Sequence, residues 1–214
     1  LLSVNPHGEK SAIIQVLTRT KGIHAGIIQN AFSRKMSSTI QPSNQLYLNW
    51  SSRLEEHLGT YKVDLLKTRV DILLRNKLAL DTFNSLSSLC ISTLAERDPM
   101  PEFYEMTIKF LDKIVSQKKW EFLYLDWELQ LLTSIGYGLD LNKCVASGST
   151  ENLFYISPKS GKAVSKEKGF KYDKKLLRFP NILKYKKKYN DFNRSELVAG
   201  LSITGFFLKK WLTY

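Results

Sequence analysis

Residues 8–35 read GEKSAIIQVLTRTKGIHAGIIQNAFSRK, and residues 40–69 read IQPSNQLYLNWSSRLEEHLGTYKVDLLKTR. Apolar residues recur there at every second position, in short runs broken by Gly, Pro and Asn. A period of two belongs to strands that bury one face. Strands are therefore expected at Ala12–Leu17, Ile23–Ala31, Gln45–Trp50 and Thr60–Leu66. Lys21-Gly22 and Pro42-Ser43-Asn44 supply turns between them. The opening Leu1-Leu2-Ser3-Val4 reads as the inside of a further strand, so a short stretch is expected to precede it. Five short strands in so few residues suit a bent Greek-key barrel of the oligonucleotide-binding type. The polar stretch Ser33–Thr39 between them reads as a flexible connection.

From about Leu73 the period becomes helical. Leu74, Leu78, Phe83, Leu86, Cys90 and Leu94 repeat at that spacing, and Pro99 and Pro101 end the run. Pro101-Glu102 suits the first turn of a second helix carrying Tyr104, Ile108, Leu111 and Val115 on one face. Trp120–Ile135 reads as a third helix, stopped by Gly136 and Gly138. Ser195–Leu212 reads as a fourth, with Lys209 and Lys210 at the end that favours cations. The expected fold class is α+β. A five-stranded barrel over residues 1–72 precedes an all-helical domain over 73–214, whose insert at about 139–189 is irregular and rich in Ser, Gly and Lys.

Charge is polarised along the chain. The net +12 divides into +4 over residues 1–62, −3 over 63–158 and +11 over 159–214. Clustered cations favour a polyanionic partner through counterion release; a lysine-rich solvated surface of biased composition is the alternative. Two cysteines, Cys90 in an apolar helical pattern and Cys144 in a polar loop, give no disulfide framework, so a reducing cytoplasm is expected. No apolar run is long enough to span a membrane.

Catalytic constellations are poorly supported. His7, His24 and His57 have no Cys or Asp at ligand spacing, and neither a phosphate loop nor an H-E-x-x-H pattern occurs. Asp126 and Glu128 are two residues apart on a helix and cannot share a face. No catalytic residue, cofactor or metal is expected. For nucleic acid the candidates are Lys10, Arg19, Lys21, His24, Arg34, Lys35 and Arg53, bunched around the turns, with Phe32, Tyr47 and Trp50 as rings. Single-strand binders join cations to rings that stack on bases. The competing reading points Phe32 and Trp50 into the core, and the alternation of Trp50 with Leu46 and Leu48 favours it for Trp50. Lys184, Lys186, Lys187 and Lys188 form a secondary basic patch with Tyr185 and Tyr189, and Lys168–Arg178 interleaves bases and rings in the same way. Each stretch is either a second phosphate contact or a solubilising loop.

The order and spacing of several segments resemble the bacterial recombination mediator family RecO over nearly the whole chain. The resemblance is carried by G-E-x-S-x-I-x-x-V-x-T-x-x-x-G at Gly8–Gly22, His24-x-Gly26-Ile27, Gln41-Pro42-x-Asn44 and Arg53–Tyr61. Trp127–Leu141 and Ser157-Pro158-Lys159-Ser160-Gly161 extend it. It implies an N-terminal oligonucleotide-binding barrel and a helical C-terminal domain. It also implies binding of single-stranded DNA, weaker binding of duplex DNA, and annealing of complementary strands. Implied partners are RecR, the acidic C-terminal tail of the single-strand-binding protein at the helical domain, and RecA, placed indirectly on coated DNA in the nucleoid. A protein-interaction scaffold with little DNA contact is the alternative. Many relatives hold zinc through four cysteines in the insert. Here Cys144 stands without a second thiol in Val145–Ser147 or near Ser157–Ser165, so no zinc is expected.

Overall fold

The computed structural model describes residues 1–54, 56–116, 119–184 and 193–212. Alternation becomes strand where it was expected: β1 (Ser3–His7), β2 (Ser11–Thr18), β3 (Gly22–Ile28), β4 (Gln45–Ser51) and β5 (Thr60–Lys67). In β2 the even positions Ala12, Ile14 and Val16 are fully buried, while Ile13, Gln15 and Leu17 are partly exposed. Together with Ile28, Ala31, Ile40 and Tyr61 they form the core of the sheet. Burying each large aliphatic side chain contributes about 1.5–3 kcal/mol.

The strand order is β1-β2-β3-β5-β4. Neighbours are antiparallel except β3 and β5, which run parallel where Ile27 meets Thr60. This is the expected oligonucleotide-binding-like sheet, open between β1 and β4. Two hydrogen bonds narrow the opening: the Leu1 nitrogen donates to Asn44 O at 3.0 Å, and Ser43 N donates to Leu1 O at 3.0 Å. β1 is an edge strand and carries Pro6, which has no amide hydrogen to give to a ladder. Gly59, at φ +64°, turns the chain into β5; a Cβ there would lie 2.4 Å from the Trp50 indole nitrogen.

The stretch read as flexible is instead a short helix, α1 (Arg34–Thr39). Ser33 caps it by accepting the Met36 amide at 3.4 Å, a local bond that a polar sequence makes as readily as a loop. Then come α2 (Val70–Arg75), α3 (Lys77–Thr93) and α4 (Pro101–Ser116). The helical run expected from about Leu73 begins at Val70 and is split into two helices rather than one. Asn76, extended at φ −130° and ψ 100°, separates α2 from α3 and accepts the Ala79 amide. That break resets the phase, so Ala79, Phe83, Leu86 and Cys90 are buried while Leu74 and Leu78 are exposed.

The chain divides into two compact units, Leu1–Lys118 and Lys119–Tyr214, so α3 and α4 belong with the sheet. Arg69, only 2% exposed, ties the first unit together. Its Nε and Nη2 donate to Asp112 Oδ1 of α4 at 2.9 and 2.6 Å, and Nη2 also donates to Gln45 Oε1 at 3.0 Å. Its backbone amide donates to Asn44 Oδ1.

The second unit begins with α5 (Glu121–Ser134), which buries residues around most of its circumference. The expected irregular insert holds a small sheet. β6 (Leu153–Ile156) pairs with β7 (Ala163–Ser165) on one side and with β8 (Leu177–Arg178) on the other. Strands of four, three and two residues are too short to display a period. Between β7 and β8 lie α6 (Lys166–Gly169) and a 3₁₀ helix (Phe170–Lys175); α7 (Asn181–Lys184) and α8 (Arg194–Leu212) follow. The α8 hydroxyl of Thr204 donates to the buried Glu128 carboxylate of α5. Burial pushes that carboxyl above its usual range despite this bond and a second from Tyr124.

Burial would raise the Asp112 pKa, but hydrogen bonds from Lys67 and Arg69 and their charges outweigh it, and the value falls below the 3.8 of a free aspartate. A depressed carboxylate stabilises the fold fully above its unfolded value, and that stabilisation is lost as pH falls through the lower folded value. Asp112→Asn leaves the buried guanidinium without its charge partner and is expected to cost about 2–3 kcal/mol in urea unfolding at pH 7. The same variant should flatten the acid limb of the stability profile below pH 3.8.

Candidate nucleic-acid interface

Antiparallel pairing of β2 and β3 sends the predicted cations to two opposite ends of the sheet, about 24 Å of strand apart. At one end Lys10 is exposed in the β1–β2 turn, and its carbonyl accepts the Ala31 amide at 2.8 Å. That bond brings the β3–α1 connection alongside. Phe32 follows, half exposed, and then Arg34 and Lys35, both exposed in the first turn of α1. Arg53 lies apart from these, in the β4–β5 loop, where Ile27 N donates to Gly59 O at 3.0 Å. It is exposed after β4 and lines a shallow groove of about 410 Å3 with Ile27, Ser51, His57 and Thr60.

Arg19 and Lys21 occupy the other end, in the β2–β3 turn. Arg19 Nε lies 3.4 Å from Glu105 Oε1, but both side chains are largely exposed, so the pair contributes little and leaves the guanidinium available to a ligand. Lys21 Nζ stands 4.8 Å over the Trp50 ring. Trp50 is partly buried against the core and donates its indole hydrogen to Leu58 O at 3.0 Å, in keeping with its alternation.

His24 does not join either group and, against expectation, is not a surface residue. The ring is 1% exposed, bonded to the Tyr61 hydroxyl through Nδ1 at 2.6 Å and set edge-on to Trp50 at 5.1 Å. Burial, then the charges of Lys21 and Arg97, lower its pKa, so it is neutral at pH 7. Burial likewise pushes the Tyr61 hydroxyl up to about 12. A buried neutral imidazole offers nothing to a surface phosphate. Of the secondary patch, Lys184 Nζ stands 5.2 Å over Phe179 and 5.6 Å over Phe154 in the second unit. Lys186, Lys187 and Lys188 lie outside the described residues.

Two residues were missed. Lys62 of β5 faces outward opposite Asn49, beside Tyr47, which is 60% exposed. The alternation that buries Tyr61 would have revealed it. Arg97 donates to the carbonyls of Glu56 and His57 at 3.3 and 3.2 Å and so fixes the β4–β5 loop that carries Arg53. Nothing local in its sequence signals that contact. These groups can neutralise phosphates and stack bases, and among the described residues no three His, Cys, Asp or Glu side chains gather to hold a metal.

Residues 1–69 match the family described as Recombination protein O N terminal, and residues 83–212 match Recombination protein O C terminal. The chain is 42% identical over 212 residues to the DNA repair protein RecO of Ruegeria sp. (strain TM1040), covering 99% of this chain and 87% of that one. It is 38% identical over 209 residues to the protein of the same name from Dinoroseobacter shibae, with 98% and 85% covered. It is 39% identical to that of Rhodopseudomonas palustris, with 97% and 82% covered.

The zinc that the resemblance implies for many relatives does not fit the residues present. Cys144 is buried against Tyr155 and Val164. Its sulfur accepts the Ser165 amide at 3.2 Å and lies 3.5 Å from the Ser165 hydroxyl. Burial would raise this thiol, but bonds from Ser147, Ser165 and the Ala146 amide bring it down to about 6. One thiol among hydroxyls is not the set of sulfur and nitrogen ligands that closes a structural zinc site. Elemental analysis of tag-free protein is expected to find no stoichiometric zinc, and EDTA should leave the melting temperature unchanged. A melt lowered by chelator would contradict this.

Proposed function

Because the chain belongs to the recombination protein O family of DNA repair proteins, we propose that it binds single-stranded DNA, binds duplex more weakly, and anneals complementary strands. The observation that carries this reading is the grouping of the exposed Lys10, Arg34 and Lys35 at one end of the open sheet, beside the half-exposed Phe32. Exposed cations of this kind gain free energy by displacing counterions from phosphates, and a ring among them can stack on a splayed base. Duplex DNA keeps its bases stacked inside, so only the phosphate contribution remains for it.

In the wider reading the protein works with RecR and helps place RecA on DNA coated by the single-strand-binding protein, whose acidic tail meets the basic second unit. It does so by binding rather than by catalysis, in the bacterial cytoplasm near the nucleoid. The net +11 of residues 159–214 supports an acidic partner there. A scaffold reading has one observation in its favour: Leu65, Leu66, Leu74 and Leu78 of the first unit are exposed, as a protein-facing surface would be.

Annealing of complementary labelled oligonucleotides, bare and coated, tests the proposal. Arg34→Glu with Lys35→Glu is expected to weaken single-strand binding about tenfold at 0.1 M salt and to shrink the log-log salt slope, at about 0.7 per phosphate lost. Unchanged DNA affinity with impaired partner binding would favour the scaffold instead.

A further inference from the structure

The second unit contains a groove of about 760 Å3 that the first unit's cations do not reach in sequence, lined in part by Phe154, Tyr155, Lys166, Phe170, Tyr172 and Arg178. Phe154 of β6 gathers cations from three separate elements. Arg178 of β8 stands 4.8 Å from its ring, Lys166 of α6 at 5.5 Å and Lys184 of α7 at 5.6 Å. Arg178 is paired in register with Tyr155 and is oriented by Asp173 Oδ1 at 2.8 Å. The 3₁₀ helix adds Lys171, Lys174 and Lys175 to the lining. Residues 162–184 thus carry eight Lys or Arg against two carboxylates.

Packing explains why rings stand among these charges. Gly169 is pressed against Tyr155, where a Cβ would come within 2.4 Å of the ring. That close approach anchors the start of the 3₁₀ helix and leaves Phe170 and Tyr172 projecting, 73% and 58% exposed. Like charges so crowded repel one another, and exposed rings gain nothing from water. Both features become favourable together only when a ligand brings negative charge and flat apolar faces in alternation.

We infer that this groove is a second binding site for single-stranded nucleic acid, in which Lys166, Lys174, Lys175 and Arg178 neutralise phosphates while Phe170 and Tyr172 stack on bases. The inference rests on the single-strand reading above and extends it: a chain with two strand sites can hold one strand at each and so bring complementary strands together. An acidic peptide would satisfy the cations but would leave the two rings unused.

The test titrates a labelled 12-mer of deoxythymidine against the full chain, with melting curves as a check on folding. Two oligonucleotides per chain are expected for the natural sequence. One is expected for Phe170→Ala with Tyr172→Ala, with annealing slowed about tenfold and the melt unchanged, since both side chains are exposed. Lys174→Gln with Lys175→Gln should instead lower the salt slope by about 1.4. In the natural chain, photocrosslinking a 5-bromodeoxyuridine oligonucleotide should label the peptide bearing Phe170 and Tyr172, a readout that no variant's folding affects. One oligonucleotide per chain, lost in the Arg34→Glu, Lys35→Glu variant and kept without Phe170 and Tyr172, overturns the second site and leaves the first reading standing. No oligonucleotide bound by the natural chain overturns both. A glutamate 12-mer that binds through Phe170 and Tyr172 while the oligonucleotide does not would overturn the inference in favour of an acidic protein partner.

Discussion

Burying a guanidinium is costly unless its donors find partners, and Arg69 finds them where β4, the end of β5 and α4 come together. Its partners lie 24 to 43 residues away in sequence, at Gln45, Asn44 and Asp112. No local rearrangement can supply them. The bond network therefore selects one docking of sheet and helix among the many that apolar contacts alone would tolerate. The exit of β5 and the docking of α4 on the sheet are fixed by where that side chain sits.

A second constraint runs through both units: positive charge is held close to aromatic faces. Lys21 over Trp50 and the three cations around Phe154 are versions of the same device, in which a ring's negative face offsets part of the repulsion between neighbouring ammonium or guanidinium groups. The offset is modest, so the clusters remain poised for a stronger anion.

The strands could be read from the sequence because their buried faces recur every second residue over seven or eight positions, as in β2 and β4. The same rule failed where elements are short. α1 is a six-residue helix with only Met36 apolar, held by one cap, and β7 and β8 are too brief to have a period. His24 was misjudged for another reason: it was weighed by charge and nearness to a turn, whereas Gly22, Ile23 and His24 are all buried, so alternation gave no warning at that end of β3. Arg69 reads in sequence as one more solvated cation. Only contacts across dozens of residues turn it into the centre of the first unit.

Pro6 in β1 acquires a meaning from the open sheet. An unpaired strand edge is a template on which a second chain can add its own backbone. At Pro6 the missing amide hydrogen interrupts the row of donors that an incoming strand needs. The β1 edge is thereby a poorer template for pairing with a second copy of the chain.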